Sequence, residues 1–521
     1  PHPDIEVPNI TLQEFLFERA GKYTNKVALI DGPTGRVMTY GQLVEAVKWT
    51  AGGLIGRGFG KSDVLALYSP NLPEYAVAFF GAATAGGVTT TVNPLYTAAE
   101  LKGQLVSAKA KFLVTVPQCL SKAQEAVANT AVEEIFVFGE AAGATPFSEL
   151  SKDANEPTEI ATDPKADLVA LPYSSGTTGL PKGVMLTHHN LVANLCQIRP
   201  VEQLSDEEVL IGILPFYHIY GMVVVMSSAI RAGATIVTMP RFDLEKFLEL
   251  LQNYSVTMAY LVPPIVLALA KHPLVDDYDI SKLQGIFSGA APLPEPVATA
   301  CTKRHGTIIR QGYGLTETSP VTHANGRNQE IKKTSVGTAL PNTEYRIINT
   351  ITGTDVKTGQ LGEVWVRGPQ VMKGYLNNPK ATRNMIDDEG WLHTGDIGRA
   401  DKEGYLFVVD RLKELIKYKG FQVAPAELEG VIQSHRAVAD VAVIPVPDSE
   451  AGEIPKAFVV LKPDMSATAE EIMTYVANRV APHKRVRMIE FIGAIPKVPS
   501  GKILRRQLRE RERAIHGDTI N

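Results

Sequence analysis

The sequence predicts an α/β protein with a large N-terminal domain of layered α/β architecture and mostly parallel sheets, followed by a small mobile α+β C-terminal domain. The chain has 521 residues, which exceeds what a single hydrophobic core accommodates. Up to residue 410, short β-rich runs alternate with helical segments, the pattern of layered parallel sheets. After that the elements become short α+β units, so we place the domains at 1–410 and 411–521.

Short apolar runs mark the strands, and longer segments between or after them mark the helices. In the large domain we predict strands at 64–68, 111–116, 168–171, 184–187, 209–214 and 234–239, and helices at 72–87, 244–252 and 294–304. In the small domain we predict strands at 441–444 and 456–461 and helices at 469–480 and 504–514. For the last helix we predict a solvated face, because acidic residues are interleaved with its basic residues. These are Arg505, Arg506, Arg509, Arg511 and Arg513, with Glu510 and Glu512 among them.

Composition excludes several classes of partner. The 52 Lys and Arg residues nearly balance the 56 Asp and Glu residues, for a formal charge of -4, so we expect no nucleic-acid partner. No stretch approaches the roughly 18 apolar residues of a membrane span, and the apolar stretch at 222–230 fits a buried strand or a core helix. Cys119, Cys196 and Cys301 lie far apart without metal-ligand spacing, which predicts buried thiols in a reducing compartment.

A Gly- and hydroxyl-rich loop at 174–183, SSGTTGLPKG, lies between two predicted strands. Its backbone N–H groups and hydroxyls can donate hydrogen bonds to a polyphosphate, and Lys182 supplies a positive charge. The loop is not a Walker A motif, because Gly183 follows the lysine where Ser or Thr would open a helix. Composition alone leaves a surface turn open as the alternative.

As a ten-residue string, this loop resembles the phosphate loop of the adenylate-forming superfamily, which includes acyl-CoA synthetases, beetle luciferases and peptide-synthetase adenylation domains. Further motifs follow in the family's order: QGYGLTET at 311–318, GEVWVRG at 362–368, WLHTGDIG at 391–398, DRLKELIK at 410–417 and PSGKI at 499–503. Three strings resemble 4-coumarate–CoA ligases most closely: PFYHIYG at 215–221, SGAAPL at 288–293 and YKGFQVAPAE at 418–427. Trp365 stands where the plant ligases usually have Cys, a departure that leaves the chemistry untouched.

The resemblance implies an ATP site in which each residue type suits its role. Glu317 would coordinate Mg²⁺, since a carboxylate, phosphate oxygens and water form the usual magnesium shell. Asp396 would accept hydrogen bonds from the ribose hydroxyls, and Tyr313 would stack in the adenine site. The implied ATP- and AMP-binding residues are Ser174, Ser175, Gly176, Thr177, Thr178, Lys182, Ala290, Gln311, Gly312, Tyr313, Thr316, Asp396, Arg411 and Lys413.

The resemblance also implies two half-reactions carried out by two faces of the small domain. Lys502 would bridge the α-phosphate and the acyl carboxylate during adenylation, which offsets the repulsion between the two anions. Rotation about a hinge near Lys413 would then replace Lys502 by the face that carries Lys417. The implied catalytic residues are Lys502, Lys417, Gln422 and His218, and the implied coenzyme A contacts are Arg241, Lys419 and Gly420.

The acid is predicted to be 4-coumarate or a related hydroxycinnamate. Small residues in the implied acyl pocket leave a flat slot for a planar ring, Tyr220 could meet a para-hydroxyl group, and Phe287 narrows one wall. The implied pocket residues are Ile219, Tyr220, Val224, Phe287, Gly314, Pro320, Val321 and Thr322, with Ala290 and Gly312 shared with the nucleotide site.

Several alternatives remain open at this point. They are a medium-chain fatty acyl-CoA synthetase, a luciferase-like monooxygenase, an adenylation domain that serves a carrier protein, and a non-catalytic nucleotide-binding protein. The last should have lost Lys182, Glu317 or Lys502, and all three are present. We expect a cytoplasmic protein, because the chain ends DTIN at 518–521 rather than with the peroxisomal Ser-Lys-Leu of several relatives. We also expect a monomer or weak homodimer.

Overall fold

The computed structural model describes residues 2–152, 154–174, 181–419, 421–448, 450–497, 501 and 503–516, and the side chains of all of these except Gln422, Ile515 and His516. Two large sheets form the bulk of the fold. The strands of the first are, in spatial order, Thr338–Ala339, Val321–Ala324, Ile308–Gly314, Gly285–Ser288, Met258–Leu261, Val209–Gly212, Thr235–Thr238, Val27–Asp31 and Val37–Thr39. The six strands from Ile308–Gly314 to Val27–Asp31 are parallel, and both edges are antiparallel.

The second sheet is also mostly parallel. Its strands are, in spatial order, Gly374–Tyr375, Lys182–Thr187, Leu168–Ala170, Val88–Val92, Val64–Tyr68, Ala110–Thr115, Glu134–Val137 and Thr145–Pro146, and the short strand Tyr173–Ser174 pairs with Lys182–Thr187. Only the pairings of Lys182–Thr187 are antiparallel. One continuous buried cluster joins this sheet to the first, so the two sheets and the helices packed between them share a core.

Two smaller sheets follow along the chain. The third is antiparallel: Glu344–Ile348, Gly362–Arg367, Leu392–Ala400 and Leu406–Arg411. The fourth runs Phe421–Val423, Ile416–Tyr418, Gly452–Leu461 and Val438–Asp448, with Met488–Phe491 parallel to Gly452–Leu461. The fourth sheet has its own apolar core. The predicted fold class, a large layered α/β part with a small α+β part, is confirmed.

The helices lie on the faces of these sheets. The α-helices are Leu12–Phe17, Tyr40–Gly56, Pro73–Thr84, Ala98–Ala108, Leu120–Val127, Glu149–Lys152, His188–Glu202, Ser228–Ala232, Leu244–Asn253, Pro263–Lys271, Glu295–His305, Pro379–Met385, Pro425–Gln433, Ala469–Ala477 and Arg505–His516. Short 3₁₀ turns lie at Ala20–Tyr23, Pro117–Cys119, Pro273–Asp277, Thr316–Thr318 and Pro482–Lys484. In the part of the chain that the structure describes, no helix is both long enough and apolar enough to cross a membrane.

Most predicted elements are present with shifted ends. The strand predicted at 209–214 ends at Gly212, because the Asn71 amide nitrogen donates to the carbonyls of Gly212 and Leu214 at 2.9 and 2.8 Å and so replaces a strand partner. The apolar stretch at 222–230 is a core helix: a π-helix, Tyr220–Ser227, continues into Ser228–Ala232. Gly221 permits this geometry, since a Cβ there would lie 2.2 Å from the carbonyl oxygen of Pro215.

Two sequence expectations need correction. The C-terminal helix has the predicted solvated face, but Arg505 does not belong to it, because Arg505 forms two hydrogen bonds with Glu429 at 2.7 and 2.8 Å and Leu508 is buried on the same side. Its acid Glu512 is likewise buried against Lys456. The three cysteines are free thiols, but Cys119 and Cys196 are half-buried and only Cys301 is fully buried.

Candidate functional site

The phosphate side of the site is built on the antiparallel pair Tyr173–Ser174 and Lys182–Thr187. Ser174 and Lys182 are direct partners in this ladder, so they face each other across the two ends of the predicted phosphate loop. Thr187 ends the strand and caps the next helix by accepting a hydrogen bond from the Asn190 N–H at 3.1 Å. Of the predicted loop residues, Ser175, Gly176, Thr177 and Thr178 lie outside the described residues.

Glu317 lies next to this pair, in the 3₁₀ turn Thr316–Thr318. Its side chain is buried, and its Oε1 accepts hydrogen bonds from the Ser174 hydroxyl at 2.9 Å and from the Tyr375 hydroxyl at 2.8 Å. The Lys182 ammonium stands 4.9 Å from the centre of the Tyr375 ring. The structure therefore brings together three of the predicted phosphate and metal residues and adds Tyr375, to which the sequence analysis gave no role.

The chemistry of this cluster suits Mg²⁺ bound by one protein carboxylate together with phosphate oxygens and water. Within the described residues, no three His, Cys, Asp or Glu side chains are grouped to hold a metal by themselves. A cation here would accordingly depend on ATP for most of its ligands.

Asp396 forms a second polar centre, on the third sheet. Strand pairing sets it directly opposite Arg411, whose Nε forms an ion pair with Asp396 Oδ1 at 3.1 Å. The Tyr313 hydroxyl donates to Oδ2 at 2.5 Å. Burial and the Asp396 carboxylate raise the pKa of Tyr313 well above its usual value, which keeps this hydroxyl a donor. The hydrogen bond from Tyr313 to Asp396 is a contact that the sequence analysis did not anticipate.

The adenine-side residues lie at the carboxyl ends of parallel strands in the first sheet, where ligands bind in open α/β sheets. Gln311 Oε1 accepts a hydrogen bond from the Leu293 N–H at 3.1 Å, which ties the segment after strand Gly285–Ser288 to the neighbouring strand. Ala290 in that segment has a left-handed φ of 67°. Its small side chain limits the strain there.

Two of the predicted acyl residues, Tyr220 and Gly312, lie beside Phe287. A Cβ on Gly312 would lie 2.5 Å from the Phe287 ring, so a glycine is required for the ring to pack there. The Tyr220 hydroxyl donates to the carbonyl of Phe287 at 3.1 Å. Gly314 is equally constrained, since a Cβ there would lie 1.9 Å from the Pro320 oxygen. The remaining predicted pocket residues, Ile219, Val224, Val321 and Thr322, are all buried.

A buried polar network lies behind Phe287. Arg310 forms hydrogen bonds of 2.6 and 3.1 Å to the two oxygens of Glu202, and their side chains are only 3% and 4% exposed. The Tyr260 hydroxyl donates to Glu202 at 2.9 Å, and the Arg310 guanidinium stands 5.5 Å from the centre of the Phe287 ring. This network was not predicted from the sequence; an arginine directly after the apolar residues Ile308 and Ile309 is the one local signal of it.

The predicted thioester residues lie on the fourth sheet. Lys417 pairs with Gln422 in a hairpin, and the side chain of Lys417 is exposed. Lys419, in the turn, has a left-handed φ of 47°. Lys413 and Arg241 are exposed, whereas His218 is half-buried and its Nδ1 accepts a hydrogen bond from the Tyr220 N–H at 3.3 Å. Gly420, Lys502 and the side chain of Gln422 lie outside the described residues.

An open groove of about 710 Å³ adjoins the same hairpin. Phe421 and His483 stack in it with ring centres 4.6 Å apart, and the Arg487 guanidinium stands 4.7 Å from the Tyr418 ring centre. Arg485 adds an exposed cation to the lining. Aromatic faces beside guanidinium groups can bind a nucleobase with its phosphates. The sequence analysis did not single out any of these residues except Tyr418 and Phe421, as part of a motif.

Comparison with known proteins gives consistent results. A family profile described as AMP-binding enzyme matches residues 16–376, and one described as AMP-binding enzyme C-terminal domain matches residues 427–502. The chain is 44% identical over 520 residues to 4-coumarate–CoA ligase 1 of Petroselinum crispum, covering 98% of this chain and 95% of that protein. It is 43% identical over 518 residues to 4-coumarate–CoA ligase 5 of Oryza sativa subsp. japonica, covering 97% and 96%.

Solved structures are similar to this chain over nearly its whole length. Superposition on ATP-bound MatB from Rhodopseudomonas palustris gives a TM-score of 0.91 at 28% identity, covering 98% of this chain and 100% of that one. The anthranilate CoA ligase AuaEII in complex with anthranoyl-AMP gives 0.91 at 26% identity, covering 98% and 99%. A benzoate CoA ligase from Burkholderia xenovorans LB400 gives 0.87 at 26% identity, covering 96% and 100%.

Proposed function

We propose that this chain, which belongs to the AMP-binding enzyme family and is an AMP-forming acid–thiol ligase, joins hydroxycinnamic acids such as 4-coumarate to coenzyme A at the expense of ATP. The observation that carries the proposal is the pair of polar centres, one around Glu317 and one around Asp396. Glu317 with Ser174 and Lys182 suits a metal-bound polyphosphate. Asp396 with Tyr313 and Arg411 suits a ribose.

In the first half-reaction, a carboxylate oxygen of the acid attacks the α-phosphorus of ATP. The bond between that phosphorus and the bridging oxygen of pyrophosphate breaks, and pyrophosphate leaves with the electron pair. Lys182 and the loop hydroxyls hold the β- and γ-phosphates, Thr316 lies at the α-phosphate, and Lys502 bridges the two reacting anions. Mg²⁺ held by Glu317 would neutralise charge that accumulates on the leaving pyrophosphate.

In the second half-reaction, the coenzyme A thiolate attacks the carbonyl carbon of the acyl-adenylate, and the bond from that carbon to the AMP oxygen breaks. We assign this step to the face of residues 411–521 that carries Lys417 and Gln422, with His218 at the thiol entrance. Lys413 is the proposed hinge for the exchange of faces, since hinge residues need only absorb a backbone rotation. Lys419, Gly420 and Arg241 are proposed to contact coenzyme A.

The acyl pocket favours a flat ring. A Cβ on Gly312 would lie 2.5 Å from the Phe287 ring, so a side chain at position 312 would collide with the ring. The Tyr220 hydroxyl, which donates to a backbone carbonyl, keeps lone pairs that can accept from a para-hydroxyl group. Buried apolar residues supply the remaining proposed walls. Each methylene that such a pocket accepts or rejects changes selectivity by about 1–3 kcal/mol.

We therefore expect 4-coumarate, caffeate or ferulate to have a higher kcat/KM than hexanoate or octanoate, by at least about tenfold. The measurement is coenzyme A-dependent AMP release with each acid at saturating ATP. A parallel light assay and an assay without coenzyme A separate a monooxygenase from a ligase. If octanoate exceeds every cinnamate by tenfold, the enzyme is a medium-chain fatty acyl-CoA synthetase and the hydroxycinnamate assignment is wrong.

The groove beside the hairpin is the proposed docking place of the nucleotide end of coenzyme A. Arg485→Ala should raise KM for coenzyme A about tenfold or more, since a charge-assisted contact to phosphate contributes about 1.5–3 kcal/mol. Adenylate formation, followed as pyrophosphate release without coenzyme A, should stay unchanged. Arg479→Ala is the matched control, because Arg479 stacks on Tyr475 at 3.5 Å in the same part of the chain and does not line the groove. An equal effect of both substitutions would contradict the assignment.

The subcellular location and the oligomeric state of the enzyme remain predictions. We place the enzyme in the cytosol as a monomer or weak homodimer. Co-purification of the native protein with peroxisomes would contradict the first, and light scattering over a range of protein concentrations tests the second.

A further inference from the structure

Tyr375 occupies a position between the two charged groups of the phosphate side. It lies on the short strand Gly374–Tyr375, which pairs with Lys182–Thr187, the strand that begins with Lys182. Only 5% of Tyr375 is exposed. Its hydroxyl donates to Glu317 Oε1 at 2.8 Å, and the Lys182 ammonium stands 4.9 Å from its ring centre. One side chain thus contacts both the proposed metal ligand and the proposed phosphate-binding lysine.

The contact with Glu317 restricts which carboxylate oxygen is presented to ATP. Both recorded hydroxyl donors, from Ser174 and Tyr375, point at Oε1. A carboxylate has about four lone-pair sites, two on each oxygen. Two donors on one oxygen fix the plane of the group and leave the lone pairs of Oε2 for a cation.

The contact with Lys182 acts on a different group. A lysine side chain has several rotatable bonds and loses considerable conformational entropy when it is fixed. The face of an aromatic ring attracts the ammonium and contributes about 0.5–2 kcal/mol, depending on how far the pair is removed from water. The ring of Tyr375 therefore holds the cation near the loop before ATP arrives.

The backbone holds Tyr375 independently of its side chain. Its N–H donates to Thr382 Oγ1 at 2.9 Å, the next N–H donates to the Gly183 carbonyl at 2.9 Å, and the Met372 N–H donates to the Glu317 carbonyl at 2.9 Å. Substitution of the side chain should for this reason leave the strand in place.

We propose that Tyr375 is a positioning residue with two separable actions: its hydroxyl orients Glu317 for Mg²⁺, and its ring holds Lys182 for the phosphates of ATP. This inference rests on the proposed ATP-dependent function.

Two substitutions separate the two actions. Tyr375→Phe keeps the ring and its volume but removes the donor to Glu317, whereas Tyr375→Leu removes both. The main readout is equilibrium binding of ATP by titration calorimetry, without Mg²⁺ and over a range of Mg²⁺ concentrations. Pyrophosphate release with 4-coumarate provides a second readout.

For Tyr375→Phe, we expect ATP affinity without Mg²⁺ to equal that of the wild type, while the Mg²⁺ concentration for half-maximal enhancement rises at least about threefold. For Tyr375→Leu, we expect the same change and, in addition, an ATP affinity without Mg²⁺ that falls about threefold to tenfold. Tyr405→Phe is the matched control, because the Tyr405 hydroxyl donates to the Glu330 carbonyl at 2.9 Å and Lys332 stands 4.5 Å from its ring centre.

Each outcome decides one point. An unchanged Mg²⁺ dependence in Tyr375→Phe overturns the action of the hydroxyl, and a Tyr375→Leu variant with wild-type affinity for free ATP overturns the action of the ring. Thermal unfolding followed by circular dichroism identifies a variant that has lost its fold. If Tyr375→Leu has lost it, Tyr375→Phe still decides the action of the hydroxyl, and Tyr375→Met, which also lacks the ring, replaces Tyr375→Leu for the action of the ring. If the wild type fails to bind ATP with Mg²⁺, the proposed function itself is wrong.

Discussion

Lys502→Ala should lower the rate of adenylate formation by about a hundredfold to a thousandfold while leaving the thioester half-reaction nearly intact. Removal of one preorganised charge from a site where charge develops in the transition state has this typical cost. Gly501, the residue before Lys502, lies against the start of the helix Pro263–Lys271: a Cβ on it would lie 3.0 Å from the ring atoms of Pro264. That helix directly follows the strand Met258–Leu261, which neighbours the strand of Phe287.

The reverse behaviour is expected of the hairpin. Lys417→Ala and Gln422→Ala should form adenylate at the wild-type rate but transfer the acyl group to coenzyme A at least about tenfold more slowly. Lys417 is exposed in this arrangement, so its removal disturbs no buried contact. A larger loss of transfer than of adenylation would therefore indicate that Lys417 acts in the second domain orientation, in which its face meets the acyl-adenylate.

The two half-reactions are measured separately. Pyrophosphate release without coenzyme A reports adenylation, and thioester formation from supplied 4-coumaroyl-AMP reports transfer. Lys402→Ala, at an exposed position outside the proposed site, is the control and should match the wild type in both assays. If Lys502→Ala slows both steps equally, the small domain does not alternate between two faces.

The fold followed from the sequence where the pattern is local. Fully buried parallel strands give uninterrupted apolar runs, and the strand Val64–Tyr68 was predicted at its observed bounds for that reason. Errors occur where a distant group decides the local structure. The side chain of Asn71, far away in sequence, ends the strand Val209–Gly212 two residues early. The sequence of the C-terminal helix does not reveal that Arg505 is covered, because its partner Glu429 belongs to another element.

In the candidate site, too, local motifs predicted individual residues but not the distant residues that they contact. Motifs identified Glu317, Asp396 and Arg411 by number, but their partners depend on the fold. Tyr375 reaches Glu317 across 58 residues, and Tyr313 reaches Asp396 across 83. Arg310 and Glu202 are separated by 108 residues. No spacing rule connects such pairs, because only the packed sheets bring them together.

The ion pair of Arg310 and Glu202 predicts a large effect on stability. Arg310→Met should lower the free energy of unfolding by about 3–5 kcal/mol, because it leaves the Glu202 carboxylate buried without a compensating charge. The double variant with Glu202→Leu should recover most of this loss. It should not recover all of it, since the Tyr260 hydroxyl then loses its acceptor, and a buried unsatisfied donor costs about 1–3 kcal/mol.

The measurement is urea unfolding of the wild type, both single variants and the double variant. Arg346→Met is the matched control. Arg346 also forms two hydrogen bonds with one carboxylate, that of Asp355, but the two side chains are 33% and 58% exposed. Its loss should change the free energy of unfolding by less than about 1 kcal/mol. Equal losses for Arg310→Met and Arg346→Met would contradict the argument that burial sets the difference.

The same variants test whether the network supports the acyl pocket. The Arg310 guanidinium faces the ring of Phe287, and Tyr260 packs against that ring with centres 5.8 Å apart. Loss of the pair should therefore let Phe287 shift and raise KM for 4-coumarate in the double variant, with KM for ATP unchanged because the contacts of Glu317 and Asp396 lie elsewhere. A double variant that recovers stability but keeps the wild-type KM for 4-coumarate would limit the role of the ion pair to folding. A higher KM for 4-coumarate at full stability would instead mean that the charge pair orients the pocket wall.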